Sequence, residues 1–194
     1  MALASRRNMY LDGGYGVDCA QDTAAQMDAA IKEILDQMEA EKMLFLPALQ
    51  TVKNRLSELG QIHMAELSHS FPGSYNGWMY DLSVGGGPLL SSGIYAIHLV
   101  LWLFGDIEEI RGTRSTLENG AEWQYILTGS TKSGVLFSAK NSTRAVLDNT
   151  ARLFGEKGYV EIPEYWKARK AIFHMKGSEP EVLEFPCEHE LSYE

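Results

Sequence analysis

The sequence predicts an α+β fold: an open, mainly antiparallel β-sheet with helices on one face, N-terminal helices before the sheet, and no complete Rossmann domain. Three observations carry this expectation. Apolar residues recur at helical spacing from Asp22 onward, well before any strand-like run. One long helical pattern, about Pro88 to Phe104, follows three consecutive glycines, Gly85, Gly86 and Gly87. After Gly105, strand-like runs follow one another with only short turns between them, which pairs neighbours antiparallel and leaves no room for crossover helices.

Residues 1–21 show no periodicity and read as an irregular leader. Gly13, Gly14 and Gly16 lack a preceding apolar strand and a third motif glycine, so they do not make a dinucleotide fingerprint. Residues 22–58 form a helical segment: Asp22 or Thr23 can cap, and Met27, Ile31, Ile34, Leu35 and Met38 recur as a core stripe. Pro47 opens a second short helix carrying Leu49, Val52 and Leu56, and Gly60 stops it. The sheet domain then occupies 59–194. Its first strand begins near Ile62 and ends at Phe71-Pro72-Gly73, with His63 and His69 expected on the solvent side. A loop rich in Tyr, Asn, Gly and Trp spans 74–84. Later strands are expected at about 107–116, 122–130, 134–142, 150–154, 158–162, 170–175 and 182–186, separated by turns such as Asn119-Gly120 and Lys132-Ser133-Gly134.

Composition narrows the function classes. The chain has 194 residues, 45% of them apolar and 22% charged, as in ordinary globular proteins. A formal charge of −9 argues against nucleic acid or an anionic membrane as partner, because both need clustered cations. The apolar run from Ile94 to Phe104 is interrupted by His98 and is too short to span a bilayer. Cys19 and Cys187 make no metal-like spacing, and MALASRRNMY lacks the apolar core of a signal peptide. A cytoplasmic protein with reduced thiols is the expectation.

Chemistry concentrates in SVGGGPLLSSGIYAIH, residues 83–98. Pro88 suits the first helical position, and a helix N-terminus offers free N–H groups to an anion. On an α-helix Ser91, Tyr95, His98 and Trp102 fall at i, i+4, i+7 and i+11, one polar stripe beside an apolar one of Leu90, Ile94, Ile97 and Leu101 that would bury on the sheet. Gly93 inside the helix implies close approach of another element or a ligand. The stripe fits a cleft wall, and it equally fits core residues with satisfied hydrogen bonds.

These residues resemble a known family. GGGPLLSSGIYAIHLVLWLFG, from Gly85 to Gly105, is similar to the C-terminal-domain signature of the glucose–fructose oxidoreductase, inositol dehydrogenase and MocA family, commonly GGG-x-L-x-D-x-G-x-[HY]. LPALQTVKNRLSELGQIHMAEL before it, ARLFGEKGYVEIPEYWKARKAIFH after it and the terminal CEHELSYE extend the likeness over roughly residues 22–194. Tyr95 and the IPEYWKA segment lean towards the dihydrodiol dehydrogenase side. The resemblance implies an NAD(P)-dependent oxidoreductase, in which Tyr95 is the general acid/base with His98 behind it as an orienting group. It also implies that the open sheet forms a homodimer or higher oligomer. From their positions in the sequence, Gly86, Gly87 and Ser91 at the helix start and Trp78 in the loop before it are the candidate substrate-binding residues, with Trp78 placed either to close over a sugar ring or to pack back onto the sheet. A tyrosine with an ordinary pKa near 10 needs a cation beside it, and the family supplies a lysine from a Glu-Lys-Pro motif.

The departures are specific. The chain has no Glu-Lys-Pro, no G-x-G-x-x-G after a strand, and Ser91 where Asp is common. No cofactor is therefore expected on this chain alone, no metal site is expected, and the isolated chain is expected to be incompetent for hydride transfer. It reads as the substrate and oligomerisation half of an oxidoreductase, either a truncated gene product or a stand-alone relative, whose complete enzyme would act on a sugar, cyclitol or dihydrodiol. The alternative is a non-catalytic oligomerisation module, or a small-ligand binder using the Gly85–Gly87 helix start for an anion.

Overall fold

The computed structural model describes residues 42–186; the leader, the helical pattern from Asp22, Cys19, Cys187 and His189 lie outside the described residues. Within them, helix α1 (Pro47–Arg55) starts on the proline, continues as a 3₁₀ turn to Leu59, and stops at Gly60, whose φ of 77° suits glycine. Strand β1 (Ile62–Ser70) follows. After short 3₁₀ turns at Gly77–Tyr80 and Leu82–Val84 comes helix α2 (Ile94–Phe104). Strands β2 (Ile107–Thr116), β3 (Glu122–Thr131), β4 (Leu136–Ser142), β5 (Thr150–Gly155), β6 (Gly158–Pro163), β7 (Lys170–Met175) and β8 (Glu181–Glu184) complete the order.

All eight strands form one open sheet in the order β2-β3-β4-β1-β5-β6-β7-β8. Every pairing is antiparallel except β1 with β4, which run parallel because β1 inserts between two strands that follow it in sequence. The fold is therefore an open mixed sheet with helices before it and across one face, and the described residues contain no Rossmann unit.

Alternation decides the two faces. Ala65 and Leu67 on β1, Phe137 and Ala139 on β4, Leu153 on β5, Val160 and Ile162 on β6 and Phe173 on β7 are buried under the helices. Helix α1 packs over β7, and α2 over β1 and β4, contributing Leu49, Val52, Leu99 and Val100 to this core. Each large side chain so buried contributes about 1.5–3 kcal/mol. Lys53 joins the helices, donating from Nζ to the Trp102 carbonyl at 3.1 Å with the ammonium 4.0 Å from the indole centroid. The stretch Leu82–Phe104, 23 residues at mean hydropathy 1.5, is long and apolar enough to cross a membrane by composition. Here it lies across the sheet with Ala96, His98, Leu99 and Val100 buried, as a core helix does.

Two expectations are corrected. The long helix is not α-helical throughout: Leu89–Gly93 winds as a single π turn before α2 begins. The wider turn breaks the α-helical phase, so Leu90 is 65% exposed instead of buried, while Ser91 is exposed and His98 only 2% exposed. His69 is not on the solvent side. It shares the face of Ala65 and Leu67 and is 2% exposed, whereas His63 is turned out where the β1–β5 register shifts between Ile62 and Met64.

Gly93 has a concrete reason. A Cβ there would stand 2.4 Å from the Tyr125 hydroxyl and 3.1 Å from its ring. Gly93→Ala is expected to destabilise the fold by about 1–3 kcal/mol in urea unfolding, and Tyr125→Phe in the same chain should return part of that loss; additive losses would contradict the clash.

Candidate functional site

The site begins with the backbone between Tyr80 and Ser91. Gly86 donates to the Asp81 carbonyl at 2.8 Å and Gly87 to the Met79 carbonyl at 2.7 Å, so the glycine run folds onto its own preceding turn. Both glycines are buried, and a Cβ on Gly86 would meet Asp81 backbone at 2.5 Å. Asp81 caps the turn before it, accepting from the Ser83 amide and hydroxyl; those two donors hold its carboxyl below the usual range.

Beyond the glycines, the helix start is already filled. The buried Glu122 carboxylate accepts the Leu89 amide at 3.0 Å, and a Cβ on Gly87 would fall 2.4 Å from its Oε1. A negative side chain at a helix N-terminus takes the place an external anion would use. Glu122 thus engages the Leu89 amide at this helix start, which weighs against the anion-binding reading of Gly85–Gly87.

The π turn is pinned from the sheet. Ser92 donates from Oγ to the Pro88 carbonyl at 3.0 Å and accepts from Asn141 Nδ2 at 2.7 Å. Such backward bonding by serine widens a helical turn, and π turns recur at functional sites. Register places His69, Asn141 and Tyr125 in one row across β1, β4 and β3, directly under this turn. Burial pushes the Tyr125 phenol well above its ordinary value.

Around the row stands an aromatic cluster. His69 packs tilted against Trp166 at 3.7 Å and Phe71 at 4.1 Å between centroids, and meets Tyr95 edge-on at 6.3 Å and Tyr165 at 6.0 Å. Tyr75 lies 6.0 Å from Phe71 and 5.6 Å from Tyr80, and its hydroxyl is hydrogen-bonded to Ser91 Oγ. Ser91 also donates to the Gly87 carbonyl at 2.8 Å. The corner that delivers Tyr165 and Trp166 is unusual: Asn149 and Glu164 both have positive φ, at 53° and 46°, and the Glu164 amide donates to the Asn149 carbonyl at 2.7 Å. Asn149 Oδ1 in turn accepts from the Ser70 amide at 2.6 Å, tying this corner to the end of β1. Lys167 sits at the edge, 5.9 Å from the Trp166 ring and paired with Glu164 at 2.9 Å.

The residues singled out from sequence thus lie on two levels. Ser91 is exposed and Tyr95 half-buried at the aromatic cluster, Trp78 is 66% exposed on the preceding turn, and His98 is buried. Gly86 and Gly87 shape the helix start by contacts with this chain's own atoms. His69, Asn141 and Glu122 were missed; the alternation Ala65-Leu67-His69 already pointed His69 inward, while Asn141 and Glu122 left no local signal. Among the described residues no group of three His, Cys, Asp or Glu is placed to hold a metal.

An open mixed sheet crossed by a helix whose π-turned start carries polar side chains defines a two-layer α+β domain with a buried polar and aromatic cluster at one end of the sheet. The chain belongs to the GFO/IDH/MocA family: the family's C-terminal domain matches residues 49–161, more than half of the sequence. Solved structures agree in fold. A levoglucosan dehydrogenase in complex with NADH and levoglucosan superposes with a TM-score of 0.64 at 15% identity, over 75% of this chain and 46% of that one. An NAD-binding oxidoreductase from Klebsiella pneumoniae gives 0.66 at 13%, also over 75% and 46%. A UDP-N-acetylglucosamine 3-dehydrogenase from Acidithiobacillus ferrooxidans gives 0.63 at 14%, over 77% and 47%. The chain thus spans less than half the length of these relatives. No curated protein matches it.

Burial lowers the His69 pKa from 6.5 to about 4, with Lys167 adding in the same direction and the Ser92 backbone opposing. Between those values the unfolded chain binds a proton that the folded chain refuses, so stability present at neutral pH is lost as the pH falls from 6.5 towards 4. The loss is roughly 3 kcal/mol. Urea midpoints of the wild type should fall across this window, and His69→Phe should remove that part of the fall; an unchanged pH slope would refute the buried neutral imidazole.

Proposed function

We propose that the chain supplies the substrate side of an NAD(P)-dependent oxidoreductase acting on a sugar, cyclitol or dihydrodiol, and that it works in the cytoplasm. The observation that carries this reading is Tyr95, half-buried beside an aromatic cluster, in a chain of this family. Relatives in complex with NADH and levoglucosan, or named for UDP-N-acetylglucosamine, support the substrate class.

The dinucleotide itself does not fit the described residues. They hold no Rossmann unit, and the one glycine-rich helix start presents the Glu122 carboxylate, which would repel a pyrophosphate. The cofactor is assigned to a domain other than this sheet. What the chain's own residues do is hold and orient substrate. Phe71, Tyr75, Trp78 and Trp166 offer flat apolar faces to a sugar ring, Ser91 and Tyr75 offer hydroxyl groups, and Tyr95 gives or takes a proton at its phenol oxygen. With the hydride donor assigned to another domain, the chain alone does not turn over substrate.

Supplying a family dinucleotide-binding domain in trans is expected to restore NAD(P)-dependent turnover, and Tyr95→Phe should lower it by 10²–10⁴-fold. Turnover unchanged by that substitution would remove Tyr95 from the chemistry. Saturable NAD(H) or NADP(H) binding by the purified chain would overturn the assignment of the cofactor to another domain.

A second reading, a homo-oligomerisation module, is favoured by the uncovered face of the sheet. There Leu136, Met64, Phe154, Tyr159 and His174 form one row across five strands, with Leu136 54% and Met64 43% exposed. The side chains of Phe154, Tyr159 and His174 stack along it, at 5.5 and 4.3 Å. An apolar band of this kind is covered in most proteins. Sedimentation equilibrium should give a dimer or larger, and Leu136→Lys should shift it to monomer; a wild-type monomer at high concentration would refute this use of the face.

A further inference from the structure

The aromatic cluster conceals a set of polar atoms that it does not itself satisfy. The Tyr165 hydroxyl, Asn141 Oδ1 and the ring nitrogens of His69 are buried without a partner of full hydrogen-bond geometry, the Ser92 backbone standing against the His69 imidazole and Tyr125 against the Asn141 side chain. Their residues are at most 2% exposed. They also belong to one place in the fold. His69 and Asn141 are register partners on β1 and β4, and the Tyr165 ring stands 6.0 Å from the His69 ring. Tyr165 and Tyr125 are near enough to interact electrostatically, and Tyr125 is the register partner of Asn141 on β3.

Their chemistry is complementary to a single kind of guest. A phenol O–H can donate, an amide oxygen accepts, and a neutral imidazole offers one donor and one acceptor. His69 is neutral at physiological pH because burial depresses its basicity. No charge therefore faces the site from these groups, which disfavours an ion. A molecule with two donors and two acceptors, small enough for a closed interior, satisfies the set, and buried waters characteristically bond two to four such groups.

We propose that His69, Asn141 and Tyr165 enclose an internal water site, occupied by at least one long-lived water that ties the Tyr165–Trp166 turn to the strand row beneath α2. The water joins three elements that no direct side-chain hydrogen bond joins here: β1 through His69, β4 through Asn141, and the turn after β6 through Tyr165. It makes Tyr165 a positioning residue for Trp166, and so for one wall of the aromatic cluster. The site stands whether or not that cluster binds a sugar, since it needs only the folded domain.

Oxygen-17 magnetic relaxation dispersion on the full chain counts internal waters by their long residence. The wild type is expected to show at least one, and Tyr165→Phe, folded by near-ultraviolet circular dichroism, at least one fewer. An equal count in Tyr165→Phe, or none in the wild type, overturns the proposal. Should Tyr165→Phe fail to fold, a high-resolution crystal structure of the wild type decides. Water density within hydrogen-bond distance of Tyr165 Oη and of His69 or Asn141 supports the site; direct bonds among these side chains with no water between them refute it.

Discussion

The fold turns on how the start of the central helix is held against the sheet. A helix N-terminus needs partners for its free amides, and a π turn needs something to keep it from relaxing to α geometry. Both needs are met from strands distant in sequence. Glu122 at the beginning of β3 accepts the Leu89 amide, and Asn141 near the end of β4 donates to Ser92, which donates on to the Pro88 carbonyl. Gly93 then allows the Tyr125 hydroxyl to lie against the helix where a Cβ would otherwise stand. These contacts set the rotation of the segment, and the rotation decides that Ser91 faces out and His98 faces in. The polar contacts are buried, so the loss of one partner would strand the other without water to replace it.

A consequence is the division of labour between the two ends of the sheet. Where α1 and the middle of α2 cover it, the core is apolar, with Leu49, Val52, Leu99, Ala139, Phe137 and Phe173 in one buried cluster. Towards the end of β1 the same face becomes polar and aromatic, with His69, Asn141, Tyr125 and Tyr165 under the π turn. Specificity of arrangement there comes from hydrogen bonds and ring stacking, and the hydrophobic effect supplies the scaffold that makes those contacts rigid. The positive-φ pair Asn149 and Glu164 belongs to this end as well, where the surrounding bonds over-determine a backbone that non-glycine residues seldom adopt.

Much of this was legible in the sequence, and what was not has a physical explanation. Strand positions from β2 to β8 followed from alternation and turn residues, because period-2 patterning and glycine-bearing turns are local signals. The parallel pairing of β1 with β4 was not visible, since it depends on which strands meet across the sheet. Helical spacing placed Tyr95 near Ser91 but mis-assigned Leu90, because an α-helical wheel has no means of registering a π turn that is stabilised by Asn141, some fifty residues away. His69 departs from expectation for a different reason: a histidine has the polarity of a surface residue, while Ala65 and Leu67 on the same face mark its position as interior. The family signature carried Tyr95, Ser91 and the glycines, and was silent on Glu122, the residue that decides the charge of the helix start.

That charge bears on what the cleft can accept. Helix amides that elsewhere greet a phosphate are here engaged by an internal carboxylate, and the adjoining turn carries Asp81 with its carboxyl held below the usual range. The side chains turned towards the aromatic cluster are phenols, a serine hydroxyl, indoles and a neutral imidazole, with Lys167 at the margin and already paired to Glu164. Such a surface favours neutral hydroxyl-bearing rings through stacking and uncharged hydrogen bonds, and it disfavours an anionic group directed at the glycines. This end of the sheet is neutral, aromatic and hydroxyl-bearing, and the Leu89 amide at its helix start is already engaged by Glu122.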